Sequence, residues 1–482
     1  MNQRAQGINE DWLSLWIGLL LFVLSLGVLV GADILGWVVT TSVWTDVTKS
    51  LAPVSKTYAA LGGIGSLILT YIVLLVVMTV GARALNADVK NFAIGFTVVF
   101  WLAYICWIVG SLANFAVNTP ADMKKFGIGW SLKLTAEGGF IVALLGGLFI
   151  GNFMPAFAEK IKEAVRPELY VKTAIVILGG FLGVTAAEKL SLATSVMFLG
   201  LAAIIVAYLV FWSVVYYVAR VWFRFNREWA APLASGISIC GVSAAIATGA
   251  AIRARPVVAI MVSSLVVVFA VVELLFLPFL AQTYLWDQPL VAGAWMALSV
   301  KTDGAAVASG AITESLIYAK AAADGVNYAK GWILGTSATV KVFIDIFIGI
   351  WAFVLAYIWT TKIEVRSGDK ARAGEIWLRF PKFIIGYVVT FLLILGLAMG
   401  ATPELMGKIK SAMGEANTFR GIFFVLTFFT IGIMSNFRKL WEEGIGKLAA
   451  VYVVCLFGFI IWVGLVISWL FFVGVKPPVV AG

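Results

Sequence analysis

Residues 229–256 read WAAPLASGISICGVSAAIATGAAIRARP, a stretch long enough to cross a membrane with no charged residue before Arg253. Gly, Ala, Ser and Thr fill it in place of the Leu and Phe of a lipid-facing helix. Small residues let helices approach closely and tolerate a local break, and the backbone N–H groups freed at a break attract anions. The stretch therefore predicts one of two structures with equal weight: a helix interrupted at a binding site, or a tightly packed internal helix without a ligand.

Residues 297–310, ALSVKTDGAAVASG, repeat this small-residue character inside another apolar segment, and they carry Lys301 and Asp303. An ionisable side chain at membrane depth costs about 2.5–3.5 kcal/mol on insertion scales, so it is a functional candidate by default. Two Gly/Ser-interrupted segments in one polytopic chain are the sequence sign of a secondary transporter site. The second stretch therefore favours the interrupted helix for the first.

The composition indicates an integral membrane protein, because 62% of the residues are hydrophobic and only 12% are charged. The net charge of +10 lies mostly in loops, so we interpret it as a topology signal and predict no nucleic-acid partner. The chain has no His, and its three Cys lie in apolar segments, so we predict no metal site, no cofactor and no disulfide framework. No nucleotide-binding motif is present, so any pumping must come from an ion gradient or a partner chain.

The apolar pattern predicts thirteen segments, at 12–40, 58–82, 92–117, 138–157, 173–188, 192–219, 229–252, 257–284, 289–312, 329–360, 383–401, 418–436 and 447–474. The segment at 173–188 is the shortest and ends in Glu188 and Lys189, so we expect it to be tilted, re-entrant or broken. The first segment is interpreted as a retained helix and not as a signal peptide.

Loop charge predicts the orientation of the chain. Lys and Arg are in excess on the side of the N-terminus, which places the N-terminus in the cytoplasm. The densest cluster is the basic loop at 361–382, which separates two halves of the core. This loop either binds anionic membrane lipid or serves as a topology anchor.

The intramembrane charges are the candidate functional residues. At a break, Lys301 and unwound backbone would bind a small oxyanion, while Asp303 would carry a coupling proton or Na⁺ or neutralise Lys301; a structural ion pair is the alternative. Lys341 and Asp345 are four residues apart on one helix face, so they either pair with each other or serve in gating or coupling. Glu273 stands alone in an apolar run and is a candidate proton carrier.

Several of these stretches resemble one known family, the YeiH-like bacterial inner-membrane proteins, whose label of sulfate exporters is provisional. The matching motifs are IVALLGGLFIGN at 141–152, VILGGFLGVT at 176–185, SGISICGVSAAIAT at 235–248, ALSVKTDGAAVASG at 297–310, ATVKVFIDIF at 338–347 and TFFTIGIMSNFRKL at 427–440. The resemblance runs from about residue 92 to the C-terminus, so residues 1–90 look like two added helices before a core at 91–482.

The chain departs from the family pattern at its charged positions. The family usually has a His-Glu pair and a Gln in the second signature, where this chain has Lys301, Thr302 and Ala305, with Asp303 added. Where the family usually has an Arg after the Val-Lys step, this chain has Ile344 and then Asp345. The resemblance is therefore to a divergent branch, whose substrate or coupling ion can differ.

The resemblance implies an all-α polytopic membrane protein with inverted repeats and two broken helices that cross in mid-membrane. Bile-acid symporters and sodium/proton antiporters are similar in this respect. It also implies a scaffold, a mobile transport domain that moves like an elevator, and assembly as a homodimer. The two N-terminal helices would then support the scaffold or the dimer.

The predicted function is a secondary active transporter of the bacterial inner membrane that exports a small anion, sulfate or a related sulfur oxyanion or sulfonate. The predicted substrate-binding residues are Ser238, Cys240, Gly241, Ser243, Ser299, Lys301, Thr302 and Gly304, and the predicted coupling residues for H⁺ or Na⁺ are Asp303, Glu273, Lys341 and Asp345. The alternatives are a cation/proton antiporter on the same fold and a non-transporting membrane subunit. No enzyme is predicted, because the sequence contains no G-x-S-x-G motif, no paired-carboxylate motif and no His.

Overall fold

The computed structural model describes residues 8–117, 120–132, 134, 138–363, 377, 380–436 and 446–480. In chain order its helices are α1 (Glu10–Ser25), α2 (Gly62–Ala84), α3 (Val89–Gly110), α4 (Ala113–Ala116), α5 (Pro120–Lys125), α6 (Gly138–Phe153), α7 (Pro155–Lys160) and α8 (Pro167–Glu188). They continue with α9 (Leu190–Tyr217), α10 (Arg227–Ser238), α11 (Ser243–Ala251), α12 (Pro256–Tyr284), α13 (Pro289–Ser299), α14 (Asp303–Ala323) and α15 (Trp332–Ile358). The last four are α16 (Phe383–Ala398), α17 (Pro403–Met434), α18 (Gly446–Cys455) and α19 (Ile461–Phe472).

The predicted all-α polytopic membrane protein is confirmed. Within the described residues, nine helical spans are long and apolar enough to cross a membrane. The other four of the thirteen predicted segments correspond to the short apolar helices α6 and α16 and to the two interrupted pairs, α10 with α11 and α13 with α14. The basic loop predicted at 361–382 falls largely on residues 364–376 and 378–379, which lie outside the described residues.

The first predicted segment, 12–40, is too long at its C-terminal end. Helix α1 is extended by a 3₁₀ turn at Leu26–Val30, and the chain then turns at Gly31, whose φ of 83° favours glycine. A short antiparallel hairpin follows, in which β1 (Val39–Thr41) pairs with β2 (Leu51–Pro53). The apolar residues after Gly31 therefore form a folded connection between α1 and α2 and do not continue the helix.

Contacts divide the chain into two compact units. The first contains residues 1–192 and 382–434, and its central element is α8, which packs against α1, α16 and α17. Glycines allow this packing, because a Cβ on Gly179 would lie 2.4 Å from the Tyr387 carbonyl oxygen. The predicted division into residues 1–90 and 91–482 stays a prediction.

The expectation that residues 173–188 are re-entrant or broken is wrong. They belong to α8, a continuous helix of 22 residues that is buried on almost every side. Its apolar run looked short because Lys172 interrupts it, and that ammonium lies 2.9 Å from Asp11 Oδ1 and 3.4 Å from Glu168 Oε2. The ion pairs compensate the buried charge, so the helix can begin at Pro167, six residues before the predicted start at residue 173.

The second unit contains residues 193–381 and 435–482. Its distinctive feature is a pair of interrupted helices: Ile239–Val242 separates α10 from α11, and Val300–Thr302 separates α13 from α14. The break predicted from the small residues at 229–256 is therefore confirmed, as is the break at Lys301. Helix α14 runs on to Ala323, beyond the predicted end at residue 312.

Candidate functional site at the crossing of two interrupted helices

The two interruptions meet each other inside the second unit. The backbone N–H of Gly241 donates a hydrogen bond of 2.5 Å to the carbonyl oxygen of Lys301. Only glycine fits at this contact, because a Cβ on Gly241 would lie 1.9 Å from Cγ1 of Val266 on α12. The crossing therefore joins backbone segments that are sixty residues apart in the sequence.

Local sequence determines where α14 begins. Thr302 has an extended backbone, and its hydroxyl accepts a hydrogen bond of 3.2 Å from the N–H of Ala305, which is an N-cap. Asp303 follows in the first turn, where the helix dipole favours a carboxylate. The break thus places a carboxylate at the positive end of a helix within the crossing.

Five ionisable side chains lie at or beside the crossing, and each residue is 1% exposed or less. They are Glu273 on α12, Lys301 in the break, Asp303 on α14, and Lys341 and Asp345 on α15. Burying an unpaired charge is costly, so each of these groups requires compensating partners.

Lys341 contacts both breaks. Its Nζ lies 3.4 Å from Asp303 Oδ1 and donates a hydrogen bond of 3.2 Å to the carbonyl oxygen of Ile239, just after α10 ends. Asp303 Oδ1 also accepts a hydrogen bond of 2.8 Å from the thiol of Cys240. The ion pair that Lys341 forms across helices is therefore with Asp303, a partner that the i, i+4 spacing to Asp345 did not indicate.

Lys301 compensates the partial negative charge at the C-terminal ends of two helices. Its ammonium donates hydrogen bonds to the carbonyl oxygens of Leu298 and Ser238, which lie at the C-terminal ends of α13 and α10; the second distance is 3.5 Å. Such carbonyl groups carry partial negative charge, which a cation stabilises. The ammonium also lies 5.0 Å from the ring centroid of Phe211 on α9, within the range of a cation–π contact.

Residues that flank or contact Lys301 carry buried polar atoms without a hydrogen-bond partner. Among the described residues these include the buried hydroxyl oxygens of Ser238 and Ser299 and the Oε1 atom of Glu273, whose Oε2 accepts a bond of 3.3 Å from the backbone N–H of Lys301. An unsatisfied buried polar group costs about 1–3 kcal/mol, so groups of this kind indicate a place where water or a solute binds.

The acidic side of the crossing is an ion-paired cluster. The Cys240 thiol and the carboxylates of Asp303 and Asp345 offer ligand atoms within 4.8 Å of one another. However, the Lys341 ammonium already supplies a positive charge 3.4 Å from Asp303 Oδ1. We therefore assign this group to charge compensation and not to a metal centre.

Comparison with known proteins places this site in a family. The family model described as conserved hypothetical protein 698 matches residues 130–451, which include both breaks and every charged residue of the crossing. A UPF0324 membrane protein of Nitrosomonas europaea is 41% identical over 479 residues, which are 98% of this chain and 97% of the relative. This chain belongs to the UPF0324 family of membrane proteins. The predicted resemblance to a divergent branch of the YeiH-like family is thereby confirmed.

Two further relatives match smaller parts of the chain. A UPF0324 membrane protein of Rhodopirellula baltica is 32% identical over 65% of this chain and 54% of its own length. An uncharacterized protein of Archaeoglobus fulgidus is 49% identical over 30% of this chain and 87% of its own length. No solved structure matches the chain. Since the Nitrosomonas relative matches 98% of the chain, the N-terminal helices are shared at least with that family member.

The structure of this UPF0324 protein brings most of the predicted site residues together. The contacts described above link Ser238, Cys240, Gly241, Lys301, Asp303, Lys341 and Glu273, while Ser299 is the last residue of α13 and Thr302 the last residue of the second break. Ser243 and Gly304 lie in the first turns of α11 and α14, and Asp345 lies one turn beyond Lys341. The Thr302 hydroxyl is engaged in the cap of α14.

Sequence reasoning missed two aromatic residues of α9 that belong to the same UPF0324 site. Phe211 faces Lys301, and the Tyr208 hydroxyl donates a bond of 2.6 Å to the Ile344 carbonyl oxygen on α15. Both residues lie in a continuous apolar helix, and no local pattern distinguishes an aromatic residue that faces a charge from one that faces lipid.

A third missed residue, Glu314, joins α14 to α15 in this UPF0324 chain. Its carboxylate accepts bonds from the backbone N–H groups of Gly331 (2.9 Å), Ile333 (2.9 Å) and Leu334 (3.1 Å) at the start of α15. Gly331, at the N-cap position, has no side chain that could cap the helix itself. Glu314 therefore fixes the helix that carries Lys341 against the helix that begins at Asp303.

We predict that Glu314→Gln lowers the unfolding free energy by about 1.5–3 kcal/mol, because hydrogen bonds to a charged acceptor have this strength. Thermal unfolding of the purified protein in detergent would measure the loss. Glu404→Gln is the matched control, since Glu404 is an exposed residue whose only described ion pair is with Lys408, and it should change stability by less than about 0.5 kcal/mol. Equal effects of the two substitutions would contradict the assigned role of Glu314.

Proposed function

We propose that this protein is a secondary active transporter of the bacterial inner membrane that carries a small anion, sulfate or a related sulfur oxyanion or sulfonate. The observation that carries the proposal is the buried Lys301 ammonium at the ends of two helices, α10 and α13, whose last residues, Ser238 and Ser299, have buried hydroxyl groups without a described partner. One cation and two hydroxyl donors form a ligand set suited to an oxyanion in a site shielded from water. The label of the resembling family supports the same substrate class.

The interrupted helices supply the rest of the proposed binding site. Helix α11 begins at Ser243 without a side-chain cap; its Ala244 N–H donates to the Cys240 carbonyl oxygen, and the other N–H groups of the first turn would be offered to an anion. Cys240 and Gly241 lie in the break before it, and Gly304 lies in the first turn of α14. Movement of the crossing past a fixed scaffold would expose this site to each side of the membrane in turn.

The larger assembly is part of the proposal. Thirteen membrane segments arranged as inverted repeats, an N-terminus in the cytoplasm and a homodimer would follow the pattern that the resemblance implies. The helices α1 and α2 would then belong to the scaffold. Support comes from α1, since Arg166 Nη1, just before α8, lies 2.7 Å from Glu10 Oε1.

The proposal is tested by uptake of labelled sulfate into proteoliposomes. Lys301→Ala should reduce saturable flux at least about a hundredfold, because a buried charge that meets an anion contributes several kcal/mol. Ser299→Ala should raise KM about fivefold, the effect of one lost neutral hydrogen bond. Ser66→Ala is the matched control, because Ser66 in α2 also has a buried hydroxyl without a partner and should leave flux unchanged.

Two outcomes would reject the anion site. The first is saturable sulfate flux that Lys301→Ala leaves intact. The second is the absence of flux for sulfate, sulfite and simple sulfonates from correctly folded wild-type protein.

A cation/proton antiporter is the second candidate function, and one observation favours it. The crossing contains three carboxylates against two ammonium groups, an excess that suits a cation. This function predicts proton release driven by an added cation, without any anion requirement, that is sensitive to Asp303→Asn. Sulfate flux dependent on Lys301 would separate the two functions.

A further inference from the structure

The charge inventory of the crossing has a direct consequence for anion transport. Glu273, Asp303 and Asp345 face Lys301 and Lys341, so the site has a net charge of −1 when all five side chains are ionised. A bound dianion would bring this to −3 in a region closed to water. Uncompensated charge of that size is too costly to bury, so positive charge must enter with the anion.

We infer that anion and protons occupy the crossing together, and that Glu273 is the residue that receives a proton when the anion binds. This inference rests on the proposed anion-transport function and names its co-substrate. For the site to have the same net charge with and without a bound dianion, about two protons must bind together with each dianion. The protein is thereby a proton–anion symporter.

Geometry singles out Glu273 among the three carboxylates. The Asp303 carboxylate is engaged by Lys341 and Cys240, and Asp345 also belongs to that side of the crossing. Glu273 is fully buried, its Oε1 has no described partner, and its Oε2 accepts one long bond from the Lys301 N–H. A protonated Glu273 therefore has a free hydroxyl with which to donate to an anion held by Lys301.

The other titratable groups of the crossing lie on several elements near α12. Lys301 and Asp303 lie in and after the second break, Cys240 in the first break, Lys341 and Asp345 on α15, and Tyr452 on α18. Helices α11 and α13 contain no charged residue, and the charged residues of α10 are Arg227 and Glu228 in its first turn. Lys301, Lys341 and Tyr452 interact electrostatically with Glu273. An arriving anion would neutralise the two ammonium groups, remove their stabilisation of the Glu273 carboxylate, and so favour its protonation.

Symport also determines how a gradient drives the anion. Protons and anion would move in the same direction, so a more acidic outer solution would drive the anion inward. An exporter that exchanges the anion for protons would show the opposite dependence. With two protons for each dianion the transport cycle would be electroneutral, so an imposed membrane potential should not change the rate.

The test uses wild-type proteoliposomes with a trapped pH indicator and labelled sulfate outside. Sulfate entry should acidify the lumen, an acidic outer buffer should accelerate entry, and a potassium diffusion potential should have no effect. For each proton taken up on binding, the apparent Kd for sulfate should fall about tenfold for each unit by which the pH is lowered. This dependence holds in the pH range in which the carboxylates of the free site are ionised.

Glu273→Gln separates proton carriage from anion binding. In this variant net sulfate uptake should carry one proton fewer for each dianion than in the wild type, and the pH dependence of the apparent Kd should lose about one tenfold step per pH unit. Glu415→Gln, a change at a buried carboxylate of α17 in the first unit, should behave like wild type. The wild-type proton measurement stands on its own if the variant does not fold.

The possible outcomes distinguish a failure of the symport inference from a failure of the proposed anion transport. Sulfate flux that depends on Lys301 but moves no protons, or that an acidic lumen accelerates, would overturn the symport inference and leave the anion transporter standing. Absence of Lys301-dependent flux at every pH would overturn both.

Discussion

Replacing Lys341 with alanine is expected to lower the unfolding free energy by about 3–5 kcal/mol and to abolish transport. The side chain is almost fully buried and holds both breaks, through Asp303 and through the carbonyl oxygen of Ile239. Its removal leaves the Asp303 carboxylate buried with only the Cys240 thiol as a described side-chain donor. Breaking a buried pair in this way is costly because one charge remains uncompensated.

A double-mutant cycle with Asp303→Asn isolates the ion pair. The double variant should be at least about 1–2 kcal/mol more stable than the sum of the two single losses predicts, because the second substitution removes the orphaned charge. Thermal unfolding of the four purified proteins in detergent gives the coupling. Lys408→Ala, which breaks the exposed pair with Glu404, is the control and should cost no more than about 1 kcal/mol. Strictly additive losses would show that Lys341 and Asp303 do not stabilise each other.

The sequence predicts the two breaks because their cause is local. Small residues such as Gly236 and Gly241 weaken a helix and allow close packing, and the Lys301 and Asp303 charges require a polar environment. The contact between Lys341 and Asp303 is not local. The i, i+4 rule indicates Asp345 on the same helix face, and the folded chain also brings Asp303 from another helix to within 3.4 Å of Lys341.

The errors in helix bounds have physical causes of the same kind. The predicted segment for α8 is too short because Lys172 has the appearance of a helix end in the sequence. In the folded chain Lys172 pairs with Asp11 of α1, so the helix continues through it. The first segment was overestimated because the apolar residues after Gly31 pack into a hairpin connection. In both cases the contacts that decide the structure are tertiary, and the local hydropathy does not indicate them.

Gly241→Ala is expected to be as damaging as the loss of Lys341. The added methyl group would lie 1.9 Å from Cγ1 and 2.7 Å from Cβ of Val266, so one of the two segments must shift. A shift that removes this overlap breaks the hydrogen bond from the Gly241 N–H to the Lys301 carbonyl oxygen, and the two breaks then lose their alignment. Overpacking of this kind costs about 1–3 kcal/mol, and more where backbone cannot yield. We therefore expect a lower unfolding temperature and no sulfate flux.

Val266→Ala should partly rescue the Gly241→Ala variant, because it removes the methyl groups at 1.9 Å and 3.2 Å and leaves only the Cβ contact at 2.7 Å. Alone, Val266→Ala leaves a cavity and lowers stability, but in the Gly241→Ala background it should raise both the unfolding temperature and the flux. Gly396→Ala on α16 is the matched control, because no atom lies near its added Cβ and the change should be neutral or slightly stabilising. Val266→Ala can lower the unfolding temperature in the wild type and raise it in the Gly241→Ala variant only if positions 241 and 266 are in direct contact. If Val266→Ala were equally harmful in both backgrounds, the crossing would have to be held by some other contact than the one between the first break and α12.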